Sequence, residues 1–149
     1  MTSPRPSVRV VCVDPEGEVL MLHWQDPVSA RRLWEPPGGG IEAGETPAEA
    51  AVRELAEETG IEAEVAADES LTVWREVTWN GKTWAGDEEF FLVRLGTRPE
   101  VSREGLLPYE RATCLGHRWV AVDDLATLPD ALEPPELASI VLRLVSSPG

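Results

Sequence analysis

The chain has 149 residues and carries 27 acidic against 13 basic side chains, a formal charge of −14. That length suits one domain with a single hydrophobic core, and 42% apolar residues is too many for a disordered chain. An acidic surface repels phosphodiester backbones, so duplex nucleic acid is not an expected partner, and a phosphate-rich ligand would need cations between itself and the protein. With two cysteines, no zinc-type Cys/His spacing and no apolar run of membrane-spanning length, the sequence predicts a soluble cytoplasmic protein without a membrane partner.

The predicted elements begin with a loose, proline-containing tail at residues 1–6, followed by one domain over residues 7–147. Predicted strands share apolar or β-branched residues bounded by turn residues, and they lie at 8–13, 19–24, 33–34, 63–66, 71–79, 83–84, 88–95 and 118–122. Three glycines after two prolines, at 38–40, predict an irregular segment that allows the main chain close to a ligand. Residues 25–32 and most of 96–118 are predicted to be loops.

A helix is predicted over Pro47–Thr59. Thr46 is a suitable N-cap, proline follows at the first helical position, Glu49 lies three residues after the cap, and Gly60 provides the stop. At about 100° per residue, Glu54, Glu57 and Glu58 fall within an arc of about 100°. We expect the opposite side to be the buried face, formed by Ala48, Val52, Leu55 and Thr59.

A second helix is predicted after residue 135, from apolar residues at helical spacing: Leu137, Ile140, Val141, Leu144 and Val145. Strands precede, separate and follow the two helices. The sequence therefore predicts an α/β fold with a mixed β-sheet between helical layers.

The glutamate face of the first helix differs from an ordinary solvated surface. Between residues 41 and 81 the only cations are Arg53 and Arg75. Like charges three and four residues apart destabilise a helix unless a cation lies among them. Clustered carboxylates suit Mg²⁺ or Mn²⁺, hard cations that also bind phosphate oxygens.

Residues 39–61 resemble the Nudix box at every specified position: Gly39, Glu45, the run Arg53-Glu54-Leu55, the pair Glu57-Glu58, and Gly60-Ile61. The order of the remaining elements is similar to that of single-domain, MutT-like members. The resemblance implies an α/β/α Nudix sandwich. It also implies metal-dependent hydrolysis of a diphosphate linkage in a nucleoside diphosphate derivative, with Mg²⁺ or Mn²⁺ neutralising the phosphates and activating water.

Matched to the box, Glu54, Glu57, Glu58 and the backbone carbonyl of Gly38 are the expected metal ligands. Glu54 or Glu57 is the candidate general base, and Arg53 is expected to orient the neighbouring carboxylates. Glu45 is expected to hold the junction between loop and helix or to support the metal ligands.

A further acidic residue from a distant loop serves many relatives as base or extra ligand, and Glu110 is the candidate here, ahead of Glu88 and Glu89. The expected substrate-binding groups are main chain, phosphate-clamping arginines and base-stacking tryptophans: Gly39, Gly40, Arg31, Arg32, Trp24 and Trp84. His23 and His117 are expected to be strand or strand-edge residues rather than ligands.

Two alternatives stay open at this point. A non-catalytic nucleotide sensor is disfavoured by an intact box, and an isoprenoid diphosphate isomerase would need a cysteine in the cleft, for which Cys12 is the candidate. Which nucleoside diphosphate derivative is the substrate is not determined, although the lack of a proline in residues 68–75 lowers the expectation for ADP-ribose. The oligomeric state also stays open, with a homodimer as the candidate because dimers are common in the family.

Overall fold

The computed structural model describes residues 2–4 and 6–146, which form a nine-stranded sheet with helices packed on it. The strands are β1 (Thr2–Pro4), β2 (Ser7–Val13), β3 (Glu18–Gln25), β4 (Arg32–Glu35), β5 (Gly38–Gly40), β6 (Ser70–Trp79), β7 (Lys82–Arg94), β8 (Cys114–Ala121) and β9 (Ala131–Leu132). The helices are α1 (Pro47–Thr59), α2 (Pro108–Thr113) and α3 (Leu137–Ser146), and a 3₁₀ turn covers Val122–Thr127.

The sheet is mixed, as the sequence predicts. Strand β2 runs parallel to β7 and antiparallel to β3 and β5. Strand β6 pairs antiparallel with β7 through the tight turn at Asn80 and Gly81, whose φ angles are 53° and 77°. These left-handed values are those of the hairpin turn that an Asn-Gly pair predicts.

Each face of the sheet is covered by one long helix. On one face, α3 buries Leu137, Ile140 and Leu144 against alternate residues of the central strands. On the other, α1 buries Ala51 and Leu55. This period-2 division of side chains between two cores confirms the predicted α/β/α sandwich.

Helix α1 has the predicted bounds and caps. The Thr46 hydroxyl accepts a hydrogen bond from Glu49 N at 3.1 Å, and the Glu49 carboxylate accepts one from Thr46 N at 2.9 Å. Gly60 has a φ of 76° and closes the helix. The predicted faces are partly wrong, because Val52 is 38% exposed whereas Glu54 and Glu58 are buried. The helix rests on β5 through its glutamate side, which turns these two carboxylates inward.

Several local predictions are wrong because tertiary pairing overrides composition. Residues 2–4, predicted as tail, form β1 beside the first part of β7, and residues 1 and 5 lie outside the described part of the chain. The glycines at 38–40 form β5, paired with Ser7–Arg9, and a β-carbon at Gly38 would overlap the carbonyl oxygen of Val8. Glycine is therefore needed here for the close approach of two strands.

Other differences concern where strands and loops begin and end. Residues 63–66 form no strand, although Ala63 and Val65 pack against the core under α1. Residues 83–84 and 88–94 belong to one strand, β7, because β6 supplies a partner for every residue from 82 to 91, and Leu95 lies just beyond its end. The segment 96–118, predicted as loop, contains α2 and the first part of β8, which pairs with β3.

Candidate active site

Two glutamates of α1 meet the glycine strand β5. Oε1 of Glu58 accepts a hydrogen bond from the backbone N–H of Gly38 at 2.7 Å. Glu54, one turn earlier, lies so close to Gly39 that a β-carbon there would stand 2.6 Å from its Oε1. Both glutamates are buried, at 9% and 6% exposure for Glu54 and Glu58. The carboxylates are therefore held between helix and strand.

Burial destabilises the ionised form of both carboxylates, those of Glu54 and Glu58. It raises the pKa of Glu58 well above its usual value, opposed by the charge of Arg9 and the N–H of Gly38. It also raises the pKa of Glu54, opposed by the charge of Arg53. Removing a carboxylate from water is costly unless a positive charge compensates, so this pair favours a cation beside it.

Arg53 binds the acidic side chains around it. Its Nε and Nη2 donate to the Glu45 carboxylate at 2.7 and 2.9 Å, and Nη1 donates to Glu54 at 3.0 Å and Glu57 at 3.3 Å. The hydrogen bond from Arg53 lowers the pKa of Glu45 to about 2. Arg53 Nη2 also donates to the carbonyl of Gly40 at 3.0 Å, which ties α1 to β5.

The donor set suits a hard divalent cation. Glu54, Glu58 and the neighbouring main chain of Gly38 offer oxygen ligands, the type that Mg²⁺ and Mn²⁺ prefer. The side chain of Glu57 is 47% exposed and contacts Arg53. In the described part of the chain, no three Asp, Glu, His or Cys side chains already converge as a ligand group. A rotation of the exposed Glu57 side chain would bring a third carboxylate to the oxygen ligands offered by Glu54, Glu58 and Gly38.

A cleft of about 300 Å³ opens beside these carboxylates. Its polar end contains Glu58 and β5 together with Ser7, Arg9, Glu35, Arg75 and Glu88. Its other end is mainly aromatic and aliphatic, lined by Trp24, Leu33, Val77, Trp79, Trp84, Leu107 and Tyr109. The indole N–H of Trp79 donates to the hydroxyl of Tyr109, which joins the end of β6 to α2.

Glu88 lies at the centre of the polar end. It accepts hydrogen bonds from the Ser7 hydroxyl at 2.7 Å, from Arg9 Nε at 3.1 Å and from Arg75. Although burial opposes its charge, Arg9 and Arg75 lower the pKa of Glu88 to about 2. Glu88 is therefore an ionised partner of two buried arginines.

The ion pairs continue on both sides of Glu88. Arg75 also donates to Glu133 at 2.6 Å, and Glu133 accepts a second bond from Arg31 at 2.5 Å. Arg9 forms a further ion pair with Glu35 at 3.1 Å. Three arginines and three glutamates thus alternate, in the order Glu35, Arg9, Glu88, Arg75, Glu133 and Arg31. We call this set the arginine–glutamate chain.

Sequence reasoning missed Arg9 and Arg75 as cleft residues. The available signal was an arginine at an inward position of each strand: Arg75 is 8% exposed and lies between half-buried Val73 and Val77. A single arginine at an inward position of a strand, where its neighbours on that face are apolar, indicates a buried ion pair when the paired strand carries an acidic residue. Here that partner is Glu88.

The predicted site residues are divided by the structure. Those that line the cleft are Gly38, Gly39, Gly40, Glu58, Trp24, Trp84 and Glu110. Arg53, Glu54 and Glu57 do not line the cleft, but Arg53 donates to the carbonyl of Gly40 and Glu54 lies against Gly39, and both glycines do line it. Arg31 and Arg32, both exposed, are absent from the cleft lining, and Arg31 pairs instead with Glu133.

The acidic candidates outside α1 have local partners. Glu110 caps α2, since its Oε1 accepts from Leu107 N at 2.9 Å, yet it also lines the cleft. Glu89 accepts a hydrogen bond from the Ser70 hydroxyl at 2.6 Å. Glu88 is held by the arginines described above.

The two histidines and Cys12 lie outside the cleft lining. His23 pairs with Asp130 at 2.7 Å and stacks on Trp34 with 4.0 Å between ring centres, and His117 is exposed. Cys12 is fully buried under α1, where burial raises the pKa of its thiol to about 12. That position does not give the acid–base cysteine in the cleft that an isomerase would need.

Comparison with known proteins agrees with this architecture. The family model described as NUDIX domain matches residues 3–142. A protein named RNA pyrophosphohydrolase from Cereibacter sphaeroides is 35% identical over 133 residues, covering 81% of this chain and 78% of its own. Phosphatase NudJ from Escherichia coli is 46% identical over 61 residues, covering 40% of this chain and 39% of its own.

Solved structures give the same fold. The C. elegans Ap4A hydrolase binary complex superposes with a TM-score of 0.70 at 22% identity, covering 95% of this chain and 98% of that one. The E. coli dihydroneopterin triphosphate pyrophosphohydrolase superposes with a TM-score of 0.68 at 21% identity, covering 97% and 99%.

The fold and site define an α/β protein with two buried carboxylates, that of Glu58 lining a ligand-sized cleft and that of Glu54 packed against Gly39 of its lining. The chain belongs to the Nudix family of hydrolases. Among its described residues, the helices are all too short or too polar to cross a membrane.

Proposed function

We propose that this chain hydrolyses a diphosphate linkage in a nucleoside diphosphate derivative, with residues 7–147 acting as one catalytic domain. The observation that carries the proposal is the pair of buried carboxylates, Glu54 and Glu58, held against a glycine strand at the cleft. The names of the relatives, which include RNA pyrophosphohydrolase and Ap4A hydrolase, support a substrate with a phosphoanhydride bond and a nucleoside.

We assign the metal site to Glu54, Glu57, Glu58 and the carbonyl of Gly38. Bound there, Mg²⁺ or Mn²⁺ would neutralise phosphate charge and activate the attacking water. Arg53 orients this set, because one guanidinium contacts both Glu54 and Glu57. Glu54 or Glu57 is the proton acceptor, with Glu110, which lines the same cleft, as the alternative.

The aromatic end of the cleft suits the nucleoside. Trp84 lines it at intermediate exposure and is assigned to base stacking. Trp24 is 5% exposed and packs with Leu22 and Leu33, so it forms part of the cleft lining and offers no free ring face for base stacking. Gly39 and Gly40 bring main chain to the phosphates, and Arg31 and Arg32 would have to swing in from the rim to contact them.

The chain is proposed to work in the cytoplasm. The thiols of Cys12 and Cys114 are both free, which supports a cytoplasmic location. A homodimer is proposed as the working assembly.

The test is hydrolysis of a substrate panel by the wild type and by Glu57→Gln and Glu58→Gln. The panel contains dNTPs, ADP-ribose, a dinucleoside tetraphosphate, a nucleotide sugar, 5′-triphosphate RNA and isopentenyl diphosphate, each with Mg²⁺ or with EDTA. We expect hydrolysis of at least one nucleotide that requires the divalent ion. Each variant should lose at least about 100-fold in kcat with an unchanged unfolding temperature.

Glu62→Gln is the matched control, since Glu62 is exposed and lies just beyond α1. It should retain wild-type activity. Near-full activity in both box variants would refute the site. Nucleotide binding without any product would favour the sensor, and isomerisation of isopentenyl diphosphate would favour the isomerase.

A further inference from the structure

The indole ring of Trp24 carries a buried hydrogen-bond donor. Among the residues that the structure describes, its N–H has no acceptor, and no other buried side-chain nitrogen or oxygen lacks a partner. An indole N–H only donates, and a buried donor without an acceptor is costly, so tryptophans inside proteins usually have a partner. The N–H of Trp34, for example, donates to the carbonyl of Pro129 at 2.6 Å. That of Trp79 donates to the hydroxyl of Tyr109.

Trp24 lies at an irregularity of the sheet. The pairing of β3 with β8 shifts register between His23 and Trp24. Such bulges redirect a side chain and are frequent beside active sites. Trp24 lines the cleft, and the buried side chains that pack with it, those of Leu22, Leu33 and Leu106, contain no acceptor. The cleft is therefore the side from which an acceptor can reach the indole N–H.

The position of Trp24 in the cleft indicates which part of a nucleotide meets it. The phosphates belong at the polar end, where the proposed metal ligands lie beside β5. Trp24 lies among the aromatic and aliphatic side chains of the other end, with Leu33 and Trp84. The planar base is the part of a nucleotide that suits such a surface. On the edge of a base, a carbonyl oxygen projects beyond the ring and accepts a hydrogen bond, whereas an amino group projects as a second donor.

We propose that Trp24 selects nucleotides with an oxo base, by donating its indole N–H to a carbonyl oxygen on the edge of that base. A base with an amino group in the same place leaves the N–H unpaired and sets two donors against each other. The apolar surroundings of Trp24 strengthen the correct hydrogen bond and make the mismatch more costly. The inference rests on the proposed function, since it names the class of base that the same cleft takes.

The first experiment compares ITP with ATP, whose bases carry a carbonyl and an amino group, respectively, on the same ring carbon. The value of kcat/KM for each is measured with Mg²⁺ for the wild type, Trp24→Phe and Trp34→Phe. Trp34 provides the matched control, because it is 6% exposed against 5% for Trp24 and lies outside the cleft lining. We expect the wild type and Trp34→Phe to prefer ITP about tenfold or more, and Trp24→Phe to differ between the two by less than about twofold. Circular dichroism should show both variants folded.

A second experiment reads binding without turnover and without a substitution. The indole N–H signals of the ¹⁵N-labelled wild type are recorded with Mg²⁺ and the α,β-methylene diphosphate of inosine or of adenosine, neither of which has a hydrolysable diphosphate linkage. We expect the proton signal of Trp24, assigned from its contacts with Leu33, to move downfield with the inosine compound and not with the adenosine compound. The signal of Trp34 should stay in place with both.

The two experiments distinguish failure of this inference from failure of the proposed function. Absence of hydrolysis across the whole substrate panel, together with the downfield shift of Trp24, would contradict the proposed function and support the role of Trp24. Equal wild-type kcat/KM for ITP and ATP, a preference for ITP that persists in Trp24→Phe, or an unmoved Trp24 signal with the inosine compound would each overturn the inference.

Discussion

Replacing Gly39 by alanine should separate the geometry of the site from the stability of the fold. The new β-carbon would stand 2.6 Å from Oε1, 2.7 Å from Cδ and 2.8 Å from Oε2 of Glu54. Ordinary contact begins at 3.4 Å, so the carboxylate must retreat from 2.6 to 3.4 Å, a shift of about 0.8 Å. These three atoms are the end of a flexible side chain, which can yield without moving the strand.

A misplacement of about 1 Å in a catalytic group lowers turnover on the order of 100-fold. We therefore expect kcat of Gly39→Ala to fall about 100-fold, with a larger requirement for Mg²⁺ and an unfolding free energy within about 1 kcal/mol of the wild type. Turnover would be measured against Mg²⁺ concentration, and stability by urea unfolding. Gly96→Ala is the control, since a β-carbon there meets nothing within 4 Å. Wild-type kcat in Gly39→Ala would refute the placement of Glu54 at the reacting centre.

Two further predictions concern the arginine–glutamate chain. Arg75→Met leaves the buried carboxylates of Glu88 and Glu133 with one cation fewer, so it should lower the free energy of unfolding by about 3–5 kcal/mol. The control variant, Arg32→Met, changes an exposed residue and should lower the free energy of unfolding by less than about 0.5 kcal/mol. Equal urea midpoints for the two variants would contradict the pairing. Because the folded-state pKa of Glu88 is lowered from 4.5 to about 2, its contribution to stability is complete above pH 4.5 and is lost as the pH falls toward 2. Wild-type stability should therefore fall more steeply than that of Glu88→Gln between pH 4.5 and 2, and parallel curves would rule out this carboxylate as a source of the acid sensitivity.

Helix α1 was predictable because its signals are local. Thr46, Glu49 and Gly60 act within one turn of the residues they cap, so their geometry follows from spacing alone. The same holds for the turn at Asn80 and Gly81. The pairing of Glu54 with Glu58 on one side of the helix also follows from its period.

Elements that depend on a distant partner were less predictable. Gly38–Gly40 has no strand propensity and becomes β5 only because Ser7–Arg9 lies beside it. Residues 63–66 have strand composition but no partner in the ladder. Strand formation is decided by hydrogen-bonding partners far along the chain, which composition does not identify.

The sequence by itself determined the capped helix and the glutamates spaced along it, because a helix makes neighbours of residues three and four apart. Only the tertiary structure decided that Glu58 is buried against Gly38, and that Arg9 and Arg75 share Glu88. Arg9 and Glu88 are 79 positions apart, and they meet because β2 and β7 are adjacent parallel strands. The chemistry of the helix is thus local, whereas the charges that surround it are brought together by the sheet.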